Sequence, residues 1–123
     1  MSQTSRIKAE SRRSGVHHII DVGAMSAATM KQYDRDGADL RAVNRQFSAM
    51  NFMTVINGST VAVAIDLDYT TAKRYIIPAS SVVTIDSVLY QEFNVTNMSA
   101  ATNIAASLVY ITVGYERPLA REG

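Results

Sequence analysis

The chain contains no cysteine, no tryptophan and only two prolines. The missing cysteine excludes disulfide staples and thiolate metal sites and leaves the redox compartment open. Charge is scarce where it is most expected. Residues 49–115 carry six charged side chains, Asp66, Asp68, Lys73, Arg74, Asp86 and Glu92, whereas roughly a quarter of an ordinary soluble domain is charged. A small domain has too much surface to stay that neutral unless something covers it. Catalytic signatures are missing as well, with no G-x-S-x-G, no P-loop and no G-x-G-x-x-G. Together these absences describe a subunit of an assembly better than a catalyst.

What is present bounds the class. Hydrophobic residues make up 47% of 123, enough for a core, and the length suits one domain with an appendage. Residues 1–15 lack the apolar stretch of a secretion signal. The longest uncharged apolar run, 104–115, is too short to span a bilayer and alternates like a strand. A soluble protein made in a cytoplasm is the expectation. The net charge of +1 is unevenly spread. Residues 1–14 hold Arg6, Lys8, Arg12 and Arg13 against Glu10, residues 15–48 balance, and residues 49–115 are net −2. A basic, serine-rich tip on a near-neutral body reads either as an arm seeking an acidic surface or as a solubilising tail.

Gly15 opens a β-branched run, 16–22, that favours a strand or an extended clamp ended by Gly23. Ser26 can cap a short helix over 27–33, with Gly37 as its stop. Asp39 is a second cap, followed by Leu40, Val43, Phe47 and Met50 at offsets of three, four and three. These form one apolar stripe, with Arg41, Asn44, Arg45 and Ser48 off it. An amphipathic helix of about three turns is too short to stand alone and has to lie on the sheet or on a neighbour.

From there the period is two. Residues 52–56 and 60–67 flank Asn57-Gly58, a strong hairpin signal because a type I′ turn needs positive φ at both central residues. Val61, Val63, Ile65 and Leu67 point one way and Ala62, Ala64, Asp66 and Asp68 the other. Residues 75–77 make a short strand stopped by Pro78, and 82–85, 88–95 and 103–115 follow. Six or seven short strands without helices between them predict an antiparallel β-sandwich or single jelly roll, with a small open barrel as the alternative. The expected layout is a basic extended arm over 1–23, a short helical segment over 24–50, the β-sandwich over 51–115 and a tail over 116–123.

The final strand is apolar on both faces. Ile104, Ala106, Leu108, Tyr110 and Thr112 alternate with Ala105, Ser107, Val109, Ile111 and Val113, where a sandwich strand should be polar outward. Two covers suit it equally: the 40–50 helix lying over a central strand, or a neighbouring subunit. The candidate subunit interface is accordingly Ala62, Ala64, Ala105, Val109, Ile111 and Val113.

Other chemistry finds little support. His17 and His18 are adjacent on a strand, point to opposite faces and cannot grip one metal together. The segment 34–39 looks like a calcium loop but lacks the third carboxylate before its glycine and the closing bidentate Glu. Asp66 and Asp68 share a face and could hold a cation, or simply be a solvated strand end. Nothing places Asp86 and Glu92 together for paired-carboxylate hydrolysis. Asn57-Gly58-Ser59, Asn94-Val95-Thr96 and Asn97-Met98-Ser99 match the glycosylation sequon, and without a secretion signal read as strand and turn residues. Tyr69, Tyr75, Tyr90, Phe93, Tyr110 and Tyr115 lack the basic neighbours of a base-stacking platform. Any nucleic-acid contact therefore falls to Arg6, Lys8, Arg12 and Arg13, weak and salt-sensitive. No catalytic residue, cofactor or metal ligand is assigned.

The basic arm, the short helical segment and the Val/Ile/Thr/Ser/Ala-rich sandwich together resemble the small structural proteins of bacteriophage virions. Tyr75-Ile76-Ile77-Pro78-Ala79-Ser80-Ser81-Val82, and Phe93-Asn94-Val95-Thr96-Asn97 through Leu108-Val109-Tyr110-Ile111-Thr112-Val113, carry the resemblance over about residues 50–115. No invariant motif is involved, so no functional residue is carried over. The resemblance implies a single jelly roll that assembles into rings or vertices, with arms lacing subunits together. A penton, a decoration or cement protein and a portal-proximal ring component are each compatible. Expected partners are copies of the chain itself and other virion proteins such as the major capsid protein. A cellular module that binds carbohydrate or peptide is the second hypothesis, and it should be a well-behaved monomer with an ordered pocket. An enzyme is the third.

Overall fold

The computed structural model describes residues 14–116. Eight strands form, most of them rich in β-branched residues: β1 (Ser14–Asp21), β2 (Met30–Tyr33), β3 (Met50–Asn57), β4 (Val63–Leu67), β5 (Arg74–Ile77), β6 (Ser81–Tyr90), β7 (Phe93–Asn97) and β8 (Val109–Glu116). One helix, α1 (Arg41–Phe47), lies between β2 and β3, and a single 3-10 turn, Thr71–Lys73, joins β4 to β5. The strands form two antiparallel sheets, ordered β1-β8-β3-β6 and β2-β7-β4-β5. Partners nest: β1 with β8, β2 with β7, β3 with β6, β4 with β5. This is a single jelly roll, in which only the β4–β5 connection stays within one sheet.

The core lies between the sheets and takes every second residue. Val63, Ile65 and Leu67 of β4 with Phe93 and Val95 of β7 face Met53 and Val55 of β3, Ile85 of β6, and Ile111 and Val113 of β8. Each side chain so buried is worth about 1.5–3 kcal/mol against leaving it in water. Tyr90 points inward as well, edge-on to Phe93 at 6.2 Å, and its hydroxyl donates to Phe52 O at 2.5 Å.

Several local expectations give way to this topology. Asn57-Gly58 is not a hairpin turn, because β3 and β4 belong to different sheets and the chain crosses between them there. Gly58 serves close approach instead. Its N–H donates to Leu108 O at 2.8 Å, and a Cβ would sit 3.0 Å from that same oxygen. The expected helix over 27–33 is a turn followed by strand β2, which pairs with β7 and stacks Tyr33 on Phe93 at 5.1 Å. Sheet pairing outweighs helix propensity in so short a segment.

The second helix is present but shorter than its stripe, since Met50 already belongs to β3. Asp39 is not its cap. Leu40 occupies that position without a side-chain bond, and Gly37 O accepts the N–H groups of Leu40 and Arg41 at 3.2 and 2.9 Å. The stripe itself is apolar packing as read: Leu40, Val43 and Met50 are buried, and Phe47 stacks on Tyr115 at 4.5 Å.

The strand expected over 82–85 and the start of the one expected over 88–95 are one strand, β6, that bulges at Ser87 (φ +61°) and ends at Tyr90, while residues 93–95 open β7 in the other sheet. A bulge inserts residues without ending the pairing. The last strand begins at Val109, because Ile104 makes only an isolated bridge to Met25 and residues 105–108 are loop. Residues 14–21 of the expected arm are β1, an edge strand of the first sheet.

Candidate interaction surfaces

Strand registers fix what the outside of each sheet presents. On the first sheet the rows run Ile19–Thr112–Thr54–Thr84 and Asp21–Tyr110–Ile56–Val82. The threonines of β3 and β6 meet at 3.1 Å, while Ile19 and Val82 at the margins are 66% and 63% exposed. One row up, His17 and Phe52 stack at 5.1 Å across Gly114, which lies between them in register. On the second sheet the rows are Met30–Thr96–Ala64–Ile76 and Gln32–Asn94–Asp66–Arg74. Met30 and Ile76 are each half exposed. Asp66 is 4% exposed and is gripped by Arg74 through two bonds of 2.7 and 2.9 Å, which raises the guanidinium pKa.

The residues singled out as an interface are scattered by this arrangement. Val109, Ile111 and Val113 face inward, fully buried, and are part of the sandwich core. They are unavailable to a neighbour, and this corrects the reading of the final strand. Its outward residues are Tyr110 and Thr112, half-buried between β1 and β3. Nor does α1 cover that outer face: Phe47 packs on Tyr115, which shares the inward side with Val113. Ala64 does lie on an outer face, but its cross-strand neighbours Ile76 and Thr96 shade it completely. Ala62 is half-buried and Ala105 exposed, both in loops. Arg6, Lys8, Arg12 and Arg13 lie outside the described residues.

The two ends of the sandwich differ sharply. Loops 22–29, 58–62, 78–80 and 98–108 gather at one end and contain no charged residue. They are tied by two buried asparagines. Asn57 Nδ2 donates to the carbonyls of Val61, Ile77 and Pro78 at 2.9–3.2 Å, while its Oδ1 accepts from Ser59 N–H and Oγ–H. Asn97 repeats the device, donating to Thr102 O at 2.9 Å and Ser26 O at 3.2 Å and accepting from Ser99 N–H. Both are 1% exposed, so these Asn-x-Ser triplets are Asx turns closed to any glycosylating enzyme in the folded chain. Nothing in sequence distinguished them from ordinary turn residues.

The other end carries Asp34, Arg35, Asp36, Asp39, Arg41, Arg45, Asp68, Lys73 and Glu92. Arg35 holds Glu92 at 3.0 Å, Lys73 holds Asp68 at 3.3 Å, Tyr69 donates to Asp34 at 2.9 Å, and His18 meets Asp39 at 3.1 Å. Asp68 also accepts from Gln91 N–H at 2.8 Å. Three phenols here are pushed above their ordinary range. Burial does so for Tyr90, burial and then the charges of Asp39 and Asp21 for Tyr33, and burial and then the Asp34 hydrogen bond for Tyr69.

Asp66 and Asp68, which could have held a cation or been a solvated strand end, are each matched by a cationic side chain, Arg74 and Lys73. His17 and His18 do point apart, one to Glu116 and Phe52, the other to Asp39. Among the described residues no group of three or more His, Asp or Glu is placed to hold a metal, and no helix is long and apolar enough to cross a membrane.

No protein-family model and no curated protein matches the chain. Among solved structures the chain is similar to the coat protein dimer of Tobacco streak virus, with 12% identity and a TM-score of 0.37 over 85% of this chain and 87% of that one. A likeness so distant carries no functional argument, and the jelly-roll assignment rests on strand order alone.

Proposed function

We propose that the chain is a non-enzymatic structural subunit of a viral particle, assembling with copies of itself and with other capsid proteins. The sequence resemblance points to a phage particle, as a penton, decoration or ring component. The observation that carries the reading is the uncharged end. Four adjoining loops rich in Ala, Ser and Thr contain no charged residue, and among the described residues only Asp21 and Lys31 reach their margin, at Gly23 N–H and Val22 O, against roughly 25–35% charged residues on a freestanding soluble surface. Small side chains let two backbones approach closely, and Ile19, Val82, Met30 and Ile76 extend the apolar area along the outer sheet faces. Ala62 and Ala105 belong to the proposed contact, and the arm residues Arg6, Lys8, Arg12 and Arg13 would add electrostatic attraction to an acidic neighbour. Synthesis in a host cytoplasm and residence in the virion follow from the same reading.

Sedimentation tests it. The purified chain should associate at micromolar concentration near neutral pH, alone or with its capsid partners. Ala105→Lys places a charge on an exposed loop, so it should leave the melt within about 2 °C and abolish association. A monodisperse monomer that ignores its partners would overturn the reading.

A further inference from the structure

The charged end contains a cleft of about 280 Å³, lined chiefly by Arg35, Asp36, Arg41, Asn44, Arg45 and Gln91. Its walls are fixed by bonds already made. Glu92 holds Arg35 through Nε and Nη2 at 3.3 and 3.0 Å, Asn44 Nδ2 donates to Gln91 O at 2.9 Å, and Gln91 Nε2 donates to Ser48 O at 2.6 Å. Two cations are left over. Among the described residues Lys31, Arg35, Lys73 and Arg74 each donate to a carbonyl or a carboxylate. Arg41 and Arg45 have no such partner there, are exposed, and stand four apart on α1, where like charges repel. Of the acidic groups nearby only Asp36 lines the cleft, and among the described residues it has no ion pair; Glu92, Asp68, Asp34 and Asp39 are engaged elsewhere. The cleft is left with a surplus of one positive charge.

We infer that this cleft binds a phosphodiester of a nucleic-acid strand through Arg41 and Arg45. A diester carries one negative charge, equal to the surplus, and its two free oxygens meet two guanidinium forks. No aromatic or aliphatic side chain lines the cleft. It offers a base no aromatic ring to stack on and a lipid tail nothing to lie against, so contact is chiefly with the backbone and ignores sequence. The site lies at the end of the sandwich opposite the uncharged loops and stands independently of the assembly reading.

The test is anisotropy of a labelled oligodeoxythymidine titrated with the full chain over a range of salt. Arg41→Gln/Arg45→Gln should weaken binding about tenfold at low salt and lower the log–log salt slope by about 1.4, the release expected for two single-strand contacts. Asp36→Asn should tighten binding several-fold, a gain that misfolding cannot imitate. Lys73→Gln, a cation outside the cleft, should change neither quantity. An unchanged slope in the double variant would overturn the inference and leave binding to residues 1–13. Polyglutamate binding as tightly as the oligonucleotide, and lost in the same variant, would overturn it in favour of an acidic polypeptide.

Discussion

The two ends of this jelly roll solve one problem in opposite ways. Each must close connections between two sheets and satisfy the backbone groups that the ladders leave behind. At one end the solution is neutral: Asn57 and Asn97 each reach several carbonyls and turn the following serine back on itself. At the other the solution is largely ionic, with Arg35–Glu92 joining segments far apart in sequence, Lys73–Asp68 bracing the β4–β5 loop, and His18 meeting Asp39 between β1 and the segment before α1. A neutral amide network can be buried against a partner at little desolvation cost, whereas an ionic one favours staying in water. The difference suits the proposed contact at one end and solvent or a charged ligand at the other.

The strongest way to break that contrast is to put charge into the neutral network. Asn57→Asp removes the amide donors and points carboxylate oxygens at the carbonyls of Val61, Ile77 and Pro78, with a cost of about 4 kcal/mol. Urea denaturation measures it, and a cost below about 1 kcal/mol would mean that the loops close without the asparagine.

Alkaline pH should act on the other end. Unfolded phenols ionise near 10, while Tyr90 in the fold is held protonated above that by burial. Above pH 10 the unfolded chain therefore binds fewer protons than the folded one. Stability is complete below pH 10 and falls as pH rises past it, by about 1.4 kcal/mol per pH unit for Tyr90 alone. Tyr33 and Tyr69 act in the same direction. Tyr90→Phe should flatten the decline in denaturant midpoints between pH 10 and 11, and an unchanged slope would acquit this residue.

Salt gives the smallest and most discriminating comparison. Arg35→Ala should lower the melting temperature by about 3 °C in dilute buffer and much less at high ionic strength, because the Arg35–Glu92 pair is exposed on one side. The Asn57→Asp effect, arising in a buried network, should respond to salt far less. Equal salt responses at both ends would erase the distinction.

Much of the fold was legible because its signals are local. The alternation of Val63, Ile65 and Leu67 marks an inward face, and the Leu40–Val43–Phe47 stripe marks a helix, whatever the topology. What misled was partner identity. Asn57-Gly58 has the composition of a tight turn, but only strand order reveals that the chain crosses between sheets there. Residues 30–33 carry little apolar alternation, and their strand exists because β7 offers an edge to pair with. The final strand looked two-faced because its inward Val109, Ile111 and Val113 were indistinguishable in sequence from an interface row. The arginine cleft was hidden differently. Arg41 and Arg45 read as a solvated helix face, and only the pairing of the surrounding charges shows that these two were left over.

The nesting of strand pairs also governs how the molecule comes into being. β8 lies between β1 and β3, so the first sheet cannot close until residues 109–116 are available, and its longest contacts join segments almost a full chain apart. Such non-local closure places folding among the slower small domains, milliseconds to seconds, with loop-closure entropy spent before the ladder forms. Until then β1 and β3 present unpaired hydrogen-bonding edges to whatever strand is nearest, one from a second copy included.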